Sequence, residues 1–199
     1  MPTSIVVEQA MMSLIRTGGN DTIERLEGLC CLVNRPSSTL CVNDVFSEET
    51  MLSLAMQLGE TEVVKWLITK FPNLKLNTFL PSGVTAAQSA ARCIRNECSI
   101  MLIKMKNPDF DPYIQNIAGE TLVSYALGWN QYRFLLILIT CEMSPKPSPT
   151  DFRKLEEMKN DGCCSSEMKE AVKCFSLFMS DNNAGRIQAH KLLGAHNAV

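Results

Sequence analysis

Nine cysteines, two histidines and twenty-one carboxylates are the residues of this 199-residue chain whose types suit catalysis or metal binding. Their spacing decides what they do. Structural zinc asks for two Cys-x2-4-Cys pairs or one such pair with two histidines. Here the cysteines run as adjacent pairs, Cys30/Cys31 and Cys163/Cys164, with Cys93 and Cys98 in between, and the zinc grammar is missing. Cys30, Cys98 and Cys174 fall on apolar stretches, where a free thiol behaves as a small hydrophobe. Both histidines, His190 and His196, stand near the C-terminus, so a Cys–His nucleophile pair would need a rigid base from the chain's end. Neither a Gly-x-x-x-x-Gly-Lys-Ser/Thr loop nor Gly-x-Gly-x-x-Gly or His-Glu-x-x-His occurs. The neighbouring acids Glu24/Glu27, Glu48/Glu49 and Glu156/Glu157 read as solvated faces. No catalytic residue, cofactor or metal ligand is assigned.

The composition agrees with a protein that folds around an apolar core. Hydrophobic residues make up 46% and charged residues 20%, which excludes disorder. A net charge of −2 with no long Lys/Arg run gives no nucleic-acid footprint. The longest strongly apolar run, 134–139, is far too short to span a bilayer. Residues 1–12 lack a basic n-region, so no signal peptide is expected. Cytosol or nucleus is the expected compartment, where the thiols stay reduced. The eleven methionines, Met11, Met12, Met101 and Met105 among them, are expected to fill the core rather than a binding groove.

The elements that would position any site are helices. Ser4 can cap a first helix to about Arg16, Gly18 and Gly19 break it, and Asp21 opens a second helix carrying Ile23, Leu26, Leu29, Cys30 and Val33. Residues 34–38 are loop by composition. A regular stretch then begins. Threonines stand at 50, 85 and 121; Ala55, Ala90 and Ala126 follow each by five residues, and Leu67, Leu102 and Leu138 follow each alanine by twelve. The threonine suits an N-cap, the alanine a close helix approach, and the leucine the space between stacked pairs. One such helix pair cannot bury its apolar face alone, so copies must stack. Gly59 ends the first helix of the first copy, whereas Ile94 and Asn130 hold that place in the others, so these turns are expected to differ.

Thr50, Leu52 and Ala55, the stretch 83–91 (GVTAAQSAA) and 117–126 (IAGETLVSYA) together resemble the ankyrin-repeat family. Its pattern runs Gly-x-Thr-Pro-Leu-His-x-Ala-Ala, followed by a second helix of the Val-Val-x-Leu-Leu kind, here Val63, Val64, Trp66 and Leu67. Ankyrin units have about 33 residues, so spacings of 35 and 36 place the excess in loops. The resemblance covers three copies, at about 43–77, 78–112 and 114–141. Ser53, Gln88 and Ser124 stand where the family has His. It implies an all-α fold: an ankyrin-repeat-like helical solenoid of about five stacked helix-turn-helix units with short turn or hairpin loops. The single domain would comprise an N-terminal capping pair (1–40), the core repeats (41–143), a C-terminal capping pair without the motif (144–180), and a short helix around 186–193 with a frayed tail (181–199).

The family binds other proteins on a concave face of turn tips and first helices. Carried over by register, that face is Phe46, Glu49, Val84, Ile117 and Glu120 at the tips, with Gln57, Leu58, Arg92 and Trp129 at the helix ends. The implied function is a non-enzymatic protein–protein interaction module acting as adaptor, inhibitor or regulatory subunit. Its partner is another protein, neither nucleic acid nor membrane. Two alternatives differ in class: a thiol- or metal-dependent enzyme on a helical scaffold, which metal analysis of the reduced protein would reveal, and a self-assembling structural repeat, which sedimentation would reveal.

Overall fold

A computed structural model describes residues 4–32, 42–46, 48–141, 147–160 and 164–196. Every regular element among the described residues is an α-helix, with isolated bridges at Phe46/Glu49 and Phe79/Thr85. The order is α1 Ser4–Thr17, α2 Thr22–Leu32, α3 Met51–Leu58, α4 Thr61–Lys70, α5 Ala86–Arg92, α6 Glu97–Lys104, α7 Leu122–Gly128, α8 Tyr132–Thr140, α9 Pro149–Asn160, α10 Ser166–Ser180 and α11 Asn182–His196. The loop expected at 34–38 lies wholly outside the described residues, as do residues 142–146.

The regular copies start as their threonines dictate. Thr50, Thr85 and Thr121 are each the N-cap of a helix and each complete a reciprocal capping box, with Ser53, Gln88 and Ser124 as the third helical residue. The hydroxyl accepts a helix-start N–H while the partner side chain accepts the threonine's own N–H, which satisfies two donors that a helix start otherwise leaves open. Each such cap stabilises its helix by about 1 kcal/mol. Ala55, Ala90 and Ala126 have no exposed surface, and Leu67, Leu102 and Leu138 have almost none.

The chain divides into two compact units, Met1–Met101 and Leu102–Val199. In the first, α1 packs on α3 and α3 on α5, while α2 packs on α4. Small residues make the α3–α5 approach close: Ala86, Ala87, Ala90 and Ala91 are all buried on α5. Gln57 ties the two helices with an amide N–H donated to the Ser89 hydroxyl at 3.0 Å. Glu27 is not the plain solvated acid its sequence neighbourhood suggests, because it bridges α2 to α4. It accepts the Trp66 indole N–H at 2.5 Å and the Lys70 ammonium at 2.7 Å. Those two bonds hold its carboxyl below the ordinary glutamate range.

In the second unit α7 packs on α9 and α8 on α10, and α11 lies against both α8 and α10. The C-terminal helix is therefore longer and more integral than the short helix expected around 186–193. It runs to His196, with Ala189 fully buried, and Ala195 belongs to it rather than to a frayed tail. Its entry depends on one close approach. A Cβ on Gly185 would lie 2.3 Å from the Phe178 Cα, so only glycine lets α11 fold back on α10 there.

The methionines divide. Met11, Met12, Met51, Met56 and Met168 are core, whereas Met105 is exposed. Cys98 and Cys174 are buried and Cys30 is half-buried. Burial pushes all three thiols up, Cys98 to about 12, with Glu97 and Glu60 adding to the effect at Cys98.

Candidate functional site

The turns that close the helix pairs share one geometry, contrary to the expectation that Gly59 would make its turn different. Gly59, Ile94 and Asn130 all lie in the left-handed region, with φ of 78°, 58° and 54°. Each stands nine residues after its threonine. Their backbone bonds also correspond. The N–H of 59, 94 and 130 is donated to the carbonyls of Met56, Ala91 and Leu127, and the next N–H to those of Ala55, Ala90 and Ala126. This paired closure is the Schellman arrangement, in which left-handed backbone satisfies the last carbonyls of a helix. It outweighs residue preference at Ile94, where a β-branched side chain costs roughly 1–2 kcal/mol.

The tips before each threonine repeat as well. Leu80 and Asn116 each donate an N–H to the carbonyl four residues on, and the left-handed Gly83 and Gly119 close the turn back onto them. In the first copy the loop is one residue tighter. Phe46 and Glu49 exchange both backbone bonds, and Glu48 takes the left-handed position at φ 72°.

Around these frames α3, α5 and α7 are buried along nearly their whole length and reach solvent mainly at their C-terminal ends. Within each copy the tip and the closing turn are therefore separated by one buried helix. At the rise of an α-helix, seven or eight residues separate them by about 11 Å.

Of the nine residues expected to bind, four are open. Leu58 is 41% exposed, Trp129 51% and Ile117 85%, and Arg92 is exposed too. Phe46, Glu49, Gln57 and Glu120 are half-buried. Three of these already hold internal bonds: Glu49 with Arg16 at 3.0 Å, Gln57 with Ser89, and Glu120 with Lys154 at 2.8 Å. Val84 does not belong to an exposed tip. It is 6% exposed, because its carbonyl accepts the Leu80 N–H and the tight tip turns its side chain inward.

Within the first unit the turns gather into one surface. A Cβ on Gly59 would meet the Glu97 carboxylate at 3.3 Å and the Arg95 side chain at 3.9 Å, and one on Gly18 would meet Glu60 at 3.9 Å. The turn after α1, the turn after α3 and the turn after α5 thus lie side by side, with Leu58 and Ile94 as their exposed apolar residues and Arg92 and Arg95 beside them. Ile94, 58% exposed, is a member that sequence reasoning passed over. Its signal was available: a β-branched residue at the register position of Gly59. In the second unit Trp129 caps the end of α7, donating its backbone N–H to Tyr125, and Asn130 forms the turn.

The chain matches no family model, no curated protein and no solved structure. The site's chemistry must therefore be read from its own residues. Among the described residues no three His, Cys, Asp or Glu side chains gather as a metal site would require, and no helix is long and apolar enough to cross a membrane. The exposed turns offer apolar contact area flanked by guanidinium groups.

Proposed function

We propose that the chain is a non-enzymatic protein-binding module whose helix pairs form an ankyrin-like stack, acting as an adaptor, inhibitor or regulatory subunit. One observation carries the reading. The inner helices α3, α5 and α7 bury almost everything they have, yet large apolar side chains are held open at their closing turns: Leu58 and Ile94 in the first unit, Trp129 in the second. Three threonine-capped pairs with the same left-handed closure supply a repeated backbone frame that presents one side-chain position per copy, as a binding array needs.

Trp and Arg are the residues most enriched among interface anchors, and Trp129 and Arg92 stand at these turns. The contact surface proposed for the first unit is Leu58, Arg92 and Ile94; for the second it is Trp129 with Ile117 at the tip. Half-buried Phe46, Glu49, Gln57 and Glu120 contribute by fixing the tips and turns. The experiment is comparative capture from native cells, with Leu58→Ala and Trp129→Ala set against wild type, each variant first shown to keep its helical signal and urea midpoint. A partner held by wild type and lost by either folded variant supports the reading.

A further inference from the structure

We infer that α9, which lies on α7 and more lightly against α10, is a displaceable strap fastened mainly by the Asp151 carboxylate rather than by apolar packing. Neighbouring helices of the second unit are anchored by apolar rows: Phe134, Leu135, Leu136, Leu138 and Ile139 on α8, and Met168, Ala171, Val172, Cys174, Phe175 and Phe178 on α10. In α9 only Asp151 and Leu155 are buried, and Phe152, its aromatic residue, is 46% exposed.

Polar bonds take over what apolar burial does elsewhere. Asp151 accepts the Thr121 hydroxyl at 3.0 Å on both carboxylate oxygens, the Ser124 hydroxyl, and the Ser148 backbone N–H at 2.8 Å. Lys154 donates to Glu120 and, at 3.3 Å, to the Ser124 carbonyl, while its ammonium sits 5.8 Å from the centre of the Tyr125 ring. The Thr150 hydroxyl donates to the Ala118 carbonyl at 3.4 Å. A helix attached this way separates more readily than one attached by area, because water replaces each of these bonds as it leaves. Its own N-terminal box, Ser148 with Asp151, is built around the same carboxylate, so one group both starts the helix and docks it.

Release has a defined consequence. Tyr125 lies on α7 and Trp129, four residues on, is its C-cap, a spacing that keeps the two on one side of the helix end. Tyr125 is covered now and Trp129 is open. Lifting Lys154 away adds the Tyr125 ring to the exposed indole, so the strap would gate the size of the second unit's contact surface. That consequence rests on Trp129 being a binding residue; the mobility of the strap does not.

Amide hydrogen exchange read by mass spectrometry on the full chain tests the strap directly. In the wild type, α9 amides are expected to exchange at least about 100-fold faster than those of α8 and α10. Asp151→Ala should accelerate α9 further and leave α8, α10 and α11 within about tenfold of wild type. Exchange of α9 in step with α10 overturns the inference. So does an Asp151→Ala variant in which the whole unit loses protection together, or one in which α9 does not change. Loss of partner capture at Trp129→Ala is read separately, so the strap and the binding surface can fail independently.

Discussion

The Thr121 hydroxyl reaches both carboxylate oxygens of Asp151 at 3.0 Å, thirty residues along the chain. That hydroxyl also accepts the Val123 N–H at 3.0 Å, so a helix cap and an inter-helix tie share one atom. Thr121→Val is expected to lose both roles, at a cost of about 2–3 kcal/mol. Thr121→Ser, which keeps the oxygen, should cost under about 1 kcal/mol. A double-mutant cycle of Thr121→Val with Asp151→Ala, followed by urea unfolding, should return a coupling of about 1–2 kcal/mol. Additive costs would mean the two residues act separately.

Ile94 occupies left-handed backbone with its side chain in solvent, so little packing offsets the strain. Ile94→Asn, which copies the residue found at position 130, should stabilise the chain by roughly 0.5–1 kcal/mol. Gly59→Ala, at φ 78°, should do the reverse by about 1 kcal/mol. The urea midpoint reads both. A destabilised Ile94→Asn would show that Ile94 packs against something its exposure hides.

The approach of Gly185 to Phe178 makes the sharpest stability claim. Because a Cβ there meets backbone rather than a movable side-chain end, Gly185→Ala is expected to cost about 3 kcal/mol. Thermal unfolding should show a lowered midpoint. Exchange protection should fall first in α10 and α11.

The Cys98 thiol supplies a pH dependence with a definite sign. Its folded value, about 12, stands above the unfolded value of about 8.5. Above pH 8.5 the unfolded chain gives up this proton while the folded chain keeps it, so stability falls as pH rises through that window. The slope is about 1.4 kcal/mol per pH unit for one such proton. The contribution is fully present below about pH 8.5. Cys98→Ala should flatten the alkaline limb by that amount, measured by urea unfolding from pH 8 to 11. Cys31 and Cys93, both exposed, should react with a thiol reagent in the native state, whereas Cys98 and Cys174 should react only on opening.

Several of these features were legible in the sequence and others were not, for physical reasons. Thr50, Thr85 and Thr121 were readable because a helix cap is a local bond whose partners lie three residues away. Ala55, Ala90 and Ala126 were readable because close approach leaves small residues in a fixed register. The likeness of the three closing turns was hidden, since Ile94 is a poor left-handed residue and only its paired backbone bonds hold it there. Ser148 reads as a helix start from its residue type, but its kinship with the three threonine caps was hidden by distance. Ser148 follows Thr121 by 27 residues, outside the spacing of 35 and 36, and its box partner is an aspartate. Burial of Val84 follows from the curl of its tip, which composition suggests but does not orient. The full length of α11 turns on Gly185, a residue that read as a loop until Phe178 was seen against it.

Binding through the closing turns is the central claim, and comparative capture with Leu58→Ala, Trp129→Ala and wild type tests it most directly. Each variant must first match the wild type in helical content and unfolding midpoint. The expected result is a protein partner retained by wild type and weakened about 30-fold or more by Trp129→Ala, the effect of removing an interface anchor worth about 2 kcal/mol. A partner held with unchanged affinity by both folded variants would contradict the claim.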